Sequence, residues 1–481
     1  MLERKWWTLI VVCVGIFMLL LDVTIVNVAL PDIQLDLGSS FSQLQWVIDA
    51  YALALAALVL TAGSLADLYG RRRLFAGGVL VFTLGSLLCG VAPTATTLVL
   101  ARGAQGVGGA MMFATSLALL AHEFHGRERG TAFGIWGATT GGAVAIGPLV
   151  GGLVTETLGW RWIFLLNVPI GVAALAVTLL RVSESRDPEH GGVDLPGVLA
   201  FTGGLFLLVF GLVRGNSSGW GSPEIVGCLA GSAVLLVAFV VIELRSRRPM
   251  LDPRLFRRPA FAGAQIAAFA LSASAFAIFL YFTLYLQNVL GYSPLQTGLR
   301  FLPITLLAFV VAPVSGKMSA HAPVKLLIGG GLAVCALAFV LLHGLTVSSG
   351  WTALLPGFVL LGIGIGLVNP PLASTAVGVV PPQSTGMGSG ANTTFRQVGI
   401  ATGIALMGAV FEHHLTSELG TAGRGAASGA VPPALRQQAD AAFVGGLNQL
   451  FVIGAVIAAA GAALSFALIR SRDFYRRRAP G

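Results

Sequence analysis

Apolar stretches of about 20 residues, the length a helix needs to cross a hydrocarbon layer, follow one another along almost the whole chain. Fourteen are recognisable, centred near residues 19, 54, 83, 108, 142, 172, 204, 232, 274, 307, 334, 363, 401 and 458. In lipid each must satisfy its own backbone polar groups, so each is expected to be a helix. The expected fold class is therefore an all-α polytopic membrane protein. Composition agrees: 56% of the 481 residues are hydrophobic and 10% charged, against about 25% charged in a soluble domain. The stretches near 108, 142 and 363 are rich in glycine, which lets helices approach closely. MLERKWW runs into an apolar stretch too long for a signal-peptide core and followed by no small-residue cleavage site, so it reads as the first span.

The 29 Lys and Arg residues are unevenly spread. With both termini in the cytoplasm, 23 fall in segments on that side, Arg396 among them; five face outward and Arg102 lies within a span. Cytoplasmic loops of membrane proteins concentrate positive charge, so both termini are expected inside. The net charge of +9 then reports topology rather than nucleic-acid binding. Two polar stretches, 183–192 and 243–259, break the chain. They suggest an N-terminal six-helix bundle (1–182), a linker with two extra transmembrane helices (183–258) and a C-terminal six-helix bundle (259–481) with a long outer loop near 413–445. The second bundle is expected to repeat the first. SGKMSAHAPVK at 315–325 stands where GSLADLYGRRR stands at 63–73, keeping Gly316 and basic residues but no Asp.

An ionisable residue in hydrocarbon costs several kcal/mol unless paired or hydrated, so each is a functional candidate. Three qualify: Asp22, Asp49 and Arg102. Counted from the helix ends, all three fall in the outer half of the membrane at similar depth and are expected to meet at one hydrated site. A guanidinium does not readily lose its proton. Arg102 can instead favour the ionised form of a nearby carboxylate when close and release it when distant. A static Asp22–Arg102 pair, and an interfacial Asp49, are the plainer readings.

GSLADLYGRRR resembles the loop joining transmembrane helices 2 and 3 of the major facilitator superfamily, with Gly63, Asp67, Gly70, Arg71 and Arg72 in register. LDVTIVNVALP at 21–31 resembles the helix 1 signature of that superfamily's fourteen-helix drug–proton antiporters, and LVLARGAQGVGGA at 98–110 its helix 4 motif. GGAVAIGPLVGGL at 141–153, with Gly147, Pro148, Gly151 and Gly152, resembles the helix 5 motif that marks antiporters. WRWIFLLNVPIG at 160–171, LDPRLFRRPAF at 251–261, YLQNVLGYSPLQTG at 285–298 and FRQVGIATGIALMG at 395–408 extend the likeness over most of the chain. The resemblance implies a major facilitator fold of fourteen transmembrane helices arranged six plus two plus six, a monomer, and efflux driven by a proton gradient without a cofactor. It implies proton coupling or substrate-cation recognition for Asp22. It also implies that Asp67 holds an outward-open state by meeting a helix N-terminus, here near Ser389 to Asn392. Helix 5 is expected to pack on the second bundle and seal one side during rocking.

Other chemistries find little support. His122, Glu123 and His125 lack the H-E-x-x-H spacing of a zinc protease, and no G-x-x-x-x-G-K-[ST] indicates ATP. GNSSG at 215–219 matches G-x-S-x-G by letters, without a preceding strand. Cys13, Cys89, Cys228 and Cys335 lie far apart in apolar stretches and suggest neither a disulfide framework nor a zinc site. FAIFLYFTLYLQN at 276–288 suits a broad apolar cavity, and aromatic faces also hold cations. The expected function is a proton-coupled antiporter in a bacterial cytoplasmic membrane, exporting a small lipophilic and preferentially cationic drug. A dedicated exporter of an endogenous metabolite, an uncoupled facilitator, and a membrane-embedded lipid enzyme or scaffold are the alternatives.

Overall fold

The computed structural model describes residues 3–39, 41–185, 194–246, 249–319, 321–381, 385–420 and 435–470. The helices are α1 Arg4–Leu37, α2 Phe41–Tyr69, α3 Arg71–Gly90, α4 Ala95–Glu123, α5 Gly126–Leu158, α6 Trp162–Leu165, α7 Asn167–Arg181, α8 Leu195–Ser218 and α9 Pro223–Arg245. They continue as α10 Pro259–Leu271, α11 Ile278–Leu284, α12 Pro294–Arg300, α13 Leu302–Met318, α14 Val324–Leu342, α15 Leu355–Gly378, α16 Thr385–Leu419 and α17 Arg436–Leu468. No strand occurs among the described residues. Every one of the fourteen apolar centres lies in helix; residue 274 falls in a π-turn, Ser272–Phe276, that joins α10 to α11. Twelve helical segments among the described residues are long and apolar enough to cross a membrane. α5 and α13 contain shorter apolar runs, Leu149–Leu158 and Leu302–Met318.

Hydrogen bonds gather the basic turns at one end of the helices. Arg4 Nε donates to the Arg181 carbonyl, Lys5 Nζ to Glu128, and the Arg71 amide to the Ser185 carbonyl. This is called the basic end below. At the far end Arg161 pairs with Asp36, and the Trp160 indole donates to the same carboxylate at 3.1 Å. α1 is 34 residues long, roughly 51 Å at 1.5 Å per residue, and exceeds a hydrocarbon core of about 30 Å. Its last turns therefore project beyond the hydrocarbon, and Leu35 is exposed there.

The two bundles meet along two glycine-lined seams. On α2, a Cβ at Gly63 would strike the Gly386 carbonyl of α16 and lie 3.4 Å from the Gly390 Cα. On α5, Gly130 and Gly134 face Gly316 and Pro313 of α13 with the same backbone-to-backbone closeness. The decayed repeat thus keeps its seam: Gly63 and Gly316 hold corresponding positions in the two halves. The extra helix α8 is wedged against both bundles. Thr202 bonds Thr61 of α2 at 3.1 Å, while Asn216 Nδ2 donates to the Ala405 carbonyl of α16 at 3.2 Å. α9 packs mainly on α8 and turns most of its surface outward.

Two expectations change. The aromatic stretch 276–288 does not line a broad cavity: Phe282, Tyr285 and Leu286 are fully buried in the core of the second bundle, where Phe282 meets Phe358 at 4.9 Å. The loop set at 413–445 is shorter at both ends, since α16 runs to Leu419 and α17 starts at Arg436; residues 421–434 lie outside the described residues, as do 186–193 of the first linker. The tight seam makes a test. Gly63→Ala is expected to cost about 1–3 kcal/mol through overpacking and to lower the melting temperature in detergent. Gly103→Ala, which points into open space, is expected to melt like the parent; equal melting of both would deny the close crossing.

Candidate functional site

Asp22 and Arg102 meet. Both are about 1% exposed, and Arg102 Nη1 donates to Asp22 Oδ2. The other carboxylate oxygen, Oδ1, accepts from Gln105 Nε2 at 3.3 Å and Asn167 Nδ2 at 3.2 Å. Gln105 and Asn167 in turn both donate to Ser86 Oγ at 3.0 Å, and Ser86 donates to the Phe164 carbonyl. Arg102 Nε donates to the Val47 carbonyl at 3.1 Å, and the guanidinium lies 4.3 Å from the Tyr51 ring centroid. Six helices, α1 to α4, α6 and α7, thus contribute to one polar knot inside the first bundle. Breaking a buried pair from one side leaves a bare charge, so nothing here can be removed singly at low cost.

Asp49 does not join that knot. It is buried on α2, its Oδ2 has no hydrogen-bond partner, and the opposing charge acting on it is Arg214 of α8. The single hydrated site expected for Asp22, Asp49 and Arg102 is therefore two sites. The reason is rotation about α2: Tyr51 and the Val47 carbonyl turn toward Arg102, whereas Asp49 lies between them in sequence and turns toward the extra helix.

At the basic end Asp67 bridges the bundles. Its Oδ1 accepts from the Gly386 amide and its Oδ2 from the Met387 amide, both at 3.0 Å. Those amides belong to the first turn of α16, where unpaired N–H groups and the helix dipole favour an anion. Arg71 Nη2 donates to Asp67 Oδ1 at 2.8 Å. The helix N-terminus is thus met three residues earlier than Ser389, because α16 already begins at Thr385. Gly70 opens α3 with φ +109°, and a Cβ there would strike the Glu184 carboxylate. That carboxylate accepts from the Arg72 amide at 3.1 Å and lies 3.8 Å from Arg72 Nε. Glu184, in the linker, is a member of this turn that no motif announced.

The helix 5 glycines face the first bundle. A Cβ at Gly147 would collide with Thr24 of α1, and one at Gly151 would meet Ile25; Gly152 points into open space. Pro148 lies between them on α5. The same helix packs on the second bundle, as expected of it, through Gly130, Gly134 and Gly137 and, within the motif, through Gly141 beside Ala308 and Leu149 beside Gly298. Gly147 and Gly151 therefore fit α5 against the turn of α1 that follows Asp22.

Arg396 is also a correction. It belongs to no cytoplasmic loop: it is 6% exposed, eleven residues into α16, with Nε donating to Asn392 Oδ1 at 3.3 Å and Nη2 to Asn369 Oδ1 at 2.7 Å. The charge count placed it by its distance from an apolar centre, and the two asparagines that hold it carried no charge to mark them.

A helical chain with two bundles, buried ion pairs and an anion latch between bundles defines a polytopic membrane transporter. Residues 12–404 match the Major Facilitator Superfamily, and the chain belongs to that family. It is 40% identical over 412 residues to the puromycin resistance protein pur8 of Streptomyces alboniger, covering 85% of this chain and 82% of that protein. It is 38% identical over 413 residues to the multidrug resistance protein Stp of Mycobacterium tuberculosis, covering 86% and 77%. The tetracenomycin C resistance and export protein of Streptomyces glaucescens is 32% identical over 496 residues, covering 96% and 91%. The crystal structure of the human organic anion transporter MFSD10 superposes with a TM-score of 0.65 at 14% identity, covering 95% of this chain and all of that one, which shows the shared fold.

Two outcomes follow from the geometry. Arg102→Ala is expected to destabilise the protein by about 3–5 kcal/mol, the cost of a stranded buried charge, and Asp22→Asn in the same chain to restore part of it, as read by chemical denaturation. Asp67→Asn is expected to raise the labelling rate of Met387→Cys about tenfold, the effect of losing charge-assisted bonds worth roughly 1.5 kcal/mol; an unchanged rate would mean that Asp67 holds nothing shut.

Proposed function

We propose that this transporter is a proton-coupled antiporter that exports small lipophilic drugs or antibiotics across a bacterial cytoplasmic membrane, working as a monomer by alternating access. The observation that carries the proposal is the Asp22–Arg102 pair enclosed by neutral hydrogen-bond partners. A proton arriving from outside neutralises the Asp22 carboxylate, and Arg102 loses the charge that holds it. The carboxyl keeps hydrogen bonds to Gln105 and Asn167, so protonation removes the ionic tie between α1 and α4, keeps Asp22 hydrogen-bonded and leaves the Arg102 charge to drive the rearrangement. Because Thr24 and Ile25 lie against Gly147 and Gly151, the altered turn of α1 bears on α5, and α5 bears on α13 of the other bundle. Release of the proton inward restores the pair. With the basic end in the cytoplasm and all fourteen helical stretches spanning, the Asp67 latch closes the inner gate.

Names of relatives that refer to puromycin, tetracenomycin C and multidrug resistance support drug or antibiotic export. The cation preference expected from sequence rests on Asp49 alone, since Arg102 cancels the charge of Asp22. Protons supply the drive in this reading.

The test uses purified protein in liposomes with an imposed pH gradient and a pH-sensitive dye inside. Ethidium, as a lipophilic cation, and a lipophilic acid are added in turn. Substrate-triggered proton movement in the parent, absent in Asp22→Asn, is the expected result. Equal signals from both would remove Asp22 from coupling, and substrate movement without protons would make the protein an uncoupled facilitator.

A further inference from the structure

Three arginines are buried in the described helices: Arg71, paired with Asp67 at the basic end, Arg102 and Arg396; the last two lie deeper in the bundles and are treated differently. Arg102 faces a carboxylate. Arg396 faces only amides: Nε and Nη2 are held by Asn392 and Asn369, and Nη1 donates to nothing among the described residues. No described carboxylate forms an ion pair with it. A guanidinium left unneutralised in hydrocarbon is costly, and a static scaffold would gain by replacing it.

Its surroundings are polar and unfinished. Asn392 is 1% exposed; its Oδ1 accepts from Arg396, while its Nδ2 has no acceptor. Ser389 and Thr393, spaced to share that face of α16, are buried with hydroxyls lacking partners. Gly399 and Gly403 lie against Phe269 and Ala273, so α16 and α10 run parallel in a fixed register. One turn nearer the basic end, that register sets Gln265 at the level of Arg396, and Gln265 is fully buried with both amide atoms unpaired. Unpaired polar atoms at this density are rare in protein interiors. The cluster also lies at the seam between bundles: a Cβ at Gly137 of α5 would lie 3.5 Å from the Asn369 Cβ.

We propose that Arg396, with Asn392, Asn369, Gln265, Ser389 and Thr393, is the receptor for an acidic group, a carboxylate or similar planar oxyanion, on the transported molecule. The guanidinium supplies the charge and the fork geometry that fits such a group. The free Asn392 amide and the hydroxyls supply further donors, while Asn369 and Asn392 keep the fork aimed without cancelling its charge. The proposal rests on the export reading for its cargo but not for its chemistry, since binding needs neither a proton gradient nor transport.

The test is equilibrium binding to purified protein in nanodiscs, in chloride-free buffer, of 1-pyrenebutyric acid and of its methyl ester, read by fluorescence. The acid is expected to bind at least about tenfold more tightly, the worth of roughly 1.4 kcal/mol. Arg396→Gln is expected to abolish that preference. Asn392→Asp, which places a carboxylate beside Arg396 and keeps the volume, is expected to do the same in a protein that melts near the parent temperature. Equal binding of acid and ester by the parent, or a preference that survives Asn392→Asp, would overturn the proposal. So would chloride displacing the acid from the parent while the ester binds just as well, the behaviour of a small inorganic-anion site. Acid preference in binding, with no proton movement in the liposome assay, would leave this site standing and remove the antiport reading.

Discussion

Charge inside hydrocarbon has to be answered by the protein itself, and most of this structure can be understood from how that is done for Asp22 and Arg102. The pair is held at one end by Gln105 and Asn167 and at the other by the Val47 carbonyl and the Tyr51 ring. These groups come from separate helices, so satisfying one ion pair fixes the mutual rotation of most of the first bundle. On the opposite face of α2, Asp49 is buried without a partner at Oδ2 and feels the positive charge of Arg214 on the extra helix α8. α8 is attached to the transporter through the Thr61–Thr202 and Asn216–Ala405 bonds. Arg396 stands apart because its partners are neutral.

The basic end shows the same economy of parts in two halves. Gly63 and Asp67 close α2 on the first turn of α16, and Gly316 closes α13 on the first turns of α5. Among the described residues only the first crossing is bridged by a carboxylate of the opposing helix; Glu128, in the first turn of α5, pairs with Lys5 instead. At the second, the start of α5 carries Arg129, whose Nε and Nη2 have no partner among the described residues. The asymmetry follows from the loss of the Asp in SGKMSAHAPVK. A helix N-terminus accepts an anion and repels a cation, so the two seams respond differently to any change in charge at that end. The first is a latch and the second a simple glycine crossing.

Much of this could be read from the chain before the structure. Helix positions were visible because lipid demands long apolar runs, and the fourteen centres all lie in helix. Asp22, Asp49 and Arg102 are visible because a charge in an apolar run stands out, and Asp67 because it sits in the motif GSLADLYGRRR. The partners were not visible: Gln105, Asn167, Ser86 and Asn369 are neutral and resemble the polar residues that scatter through any glycine-rich helix. Helix ends were also hidden. Nothing in the sequence shows that α1 continues through Pro31 to Leu37 or that α16 begins at Thr385, and the misplaced latch partner and the misassigned Arg396 both come from that. The glycine motif on α5 was legible as close packing but not as to which neighbour, since a four-residue spacing fixes a face and not what lies against it.

The central claim is that Asp22 changes its protonation state within an intact cage. Infrared difference spectra of the protein in nanodiscs, recorded between acid and alkaline buffer, test it most directly through the carbonyl stretch of a protonated carboxyl. The account predicts a band at acid pH that is present in the parent and in Asp49→Asn and missing in Asp22→Asn. Identical spectra for the parent and Asp22→Asn would contradict it and leave the Asp22–Arg102 pair as a fixed strut.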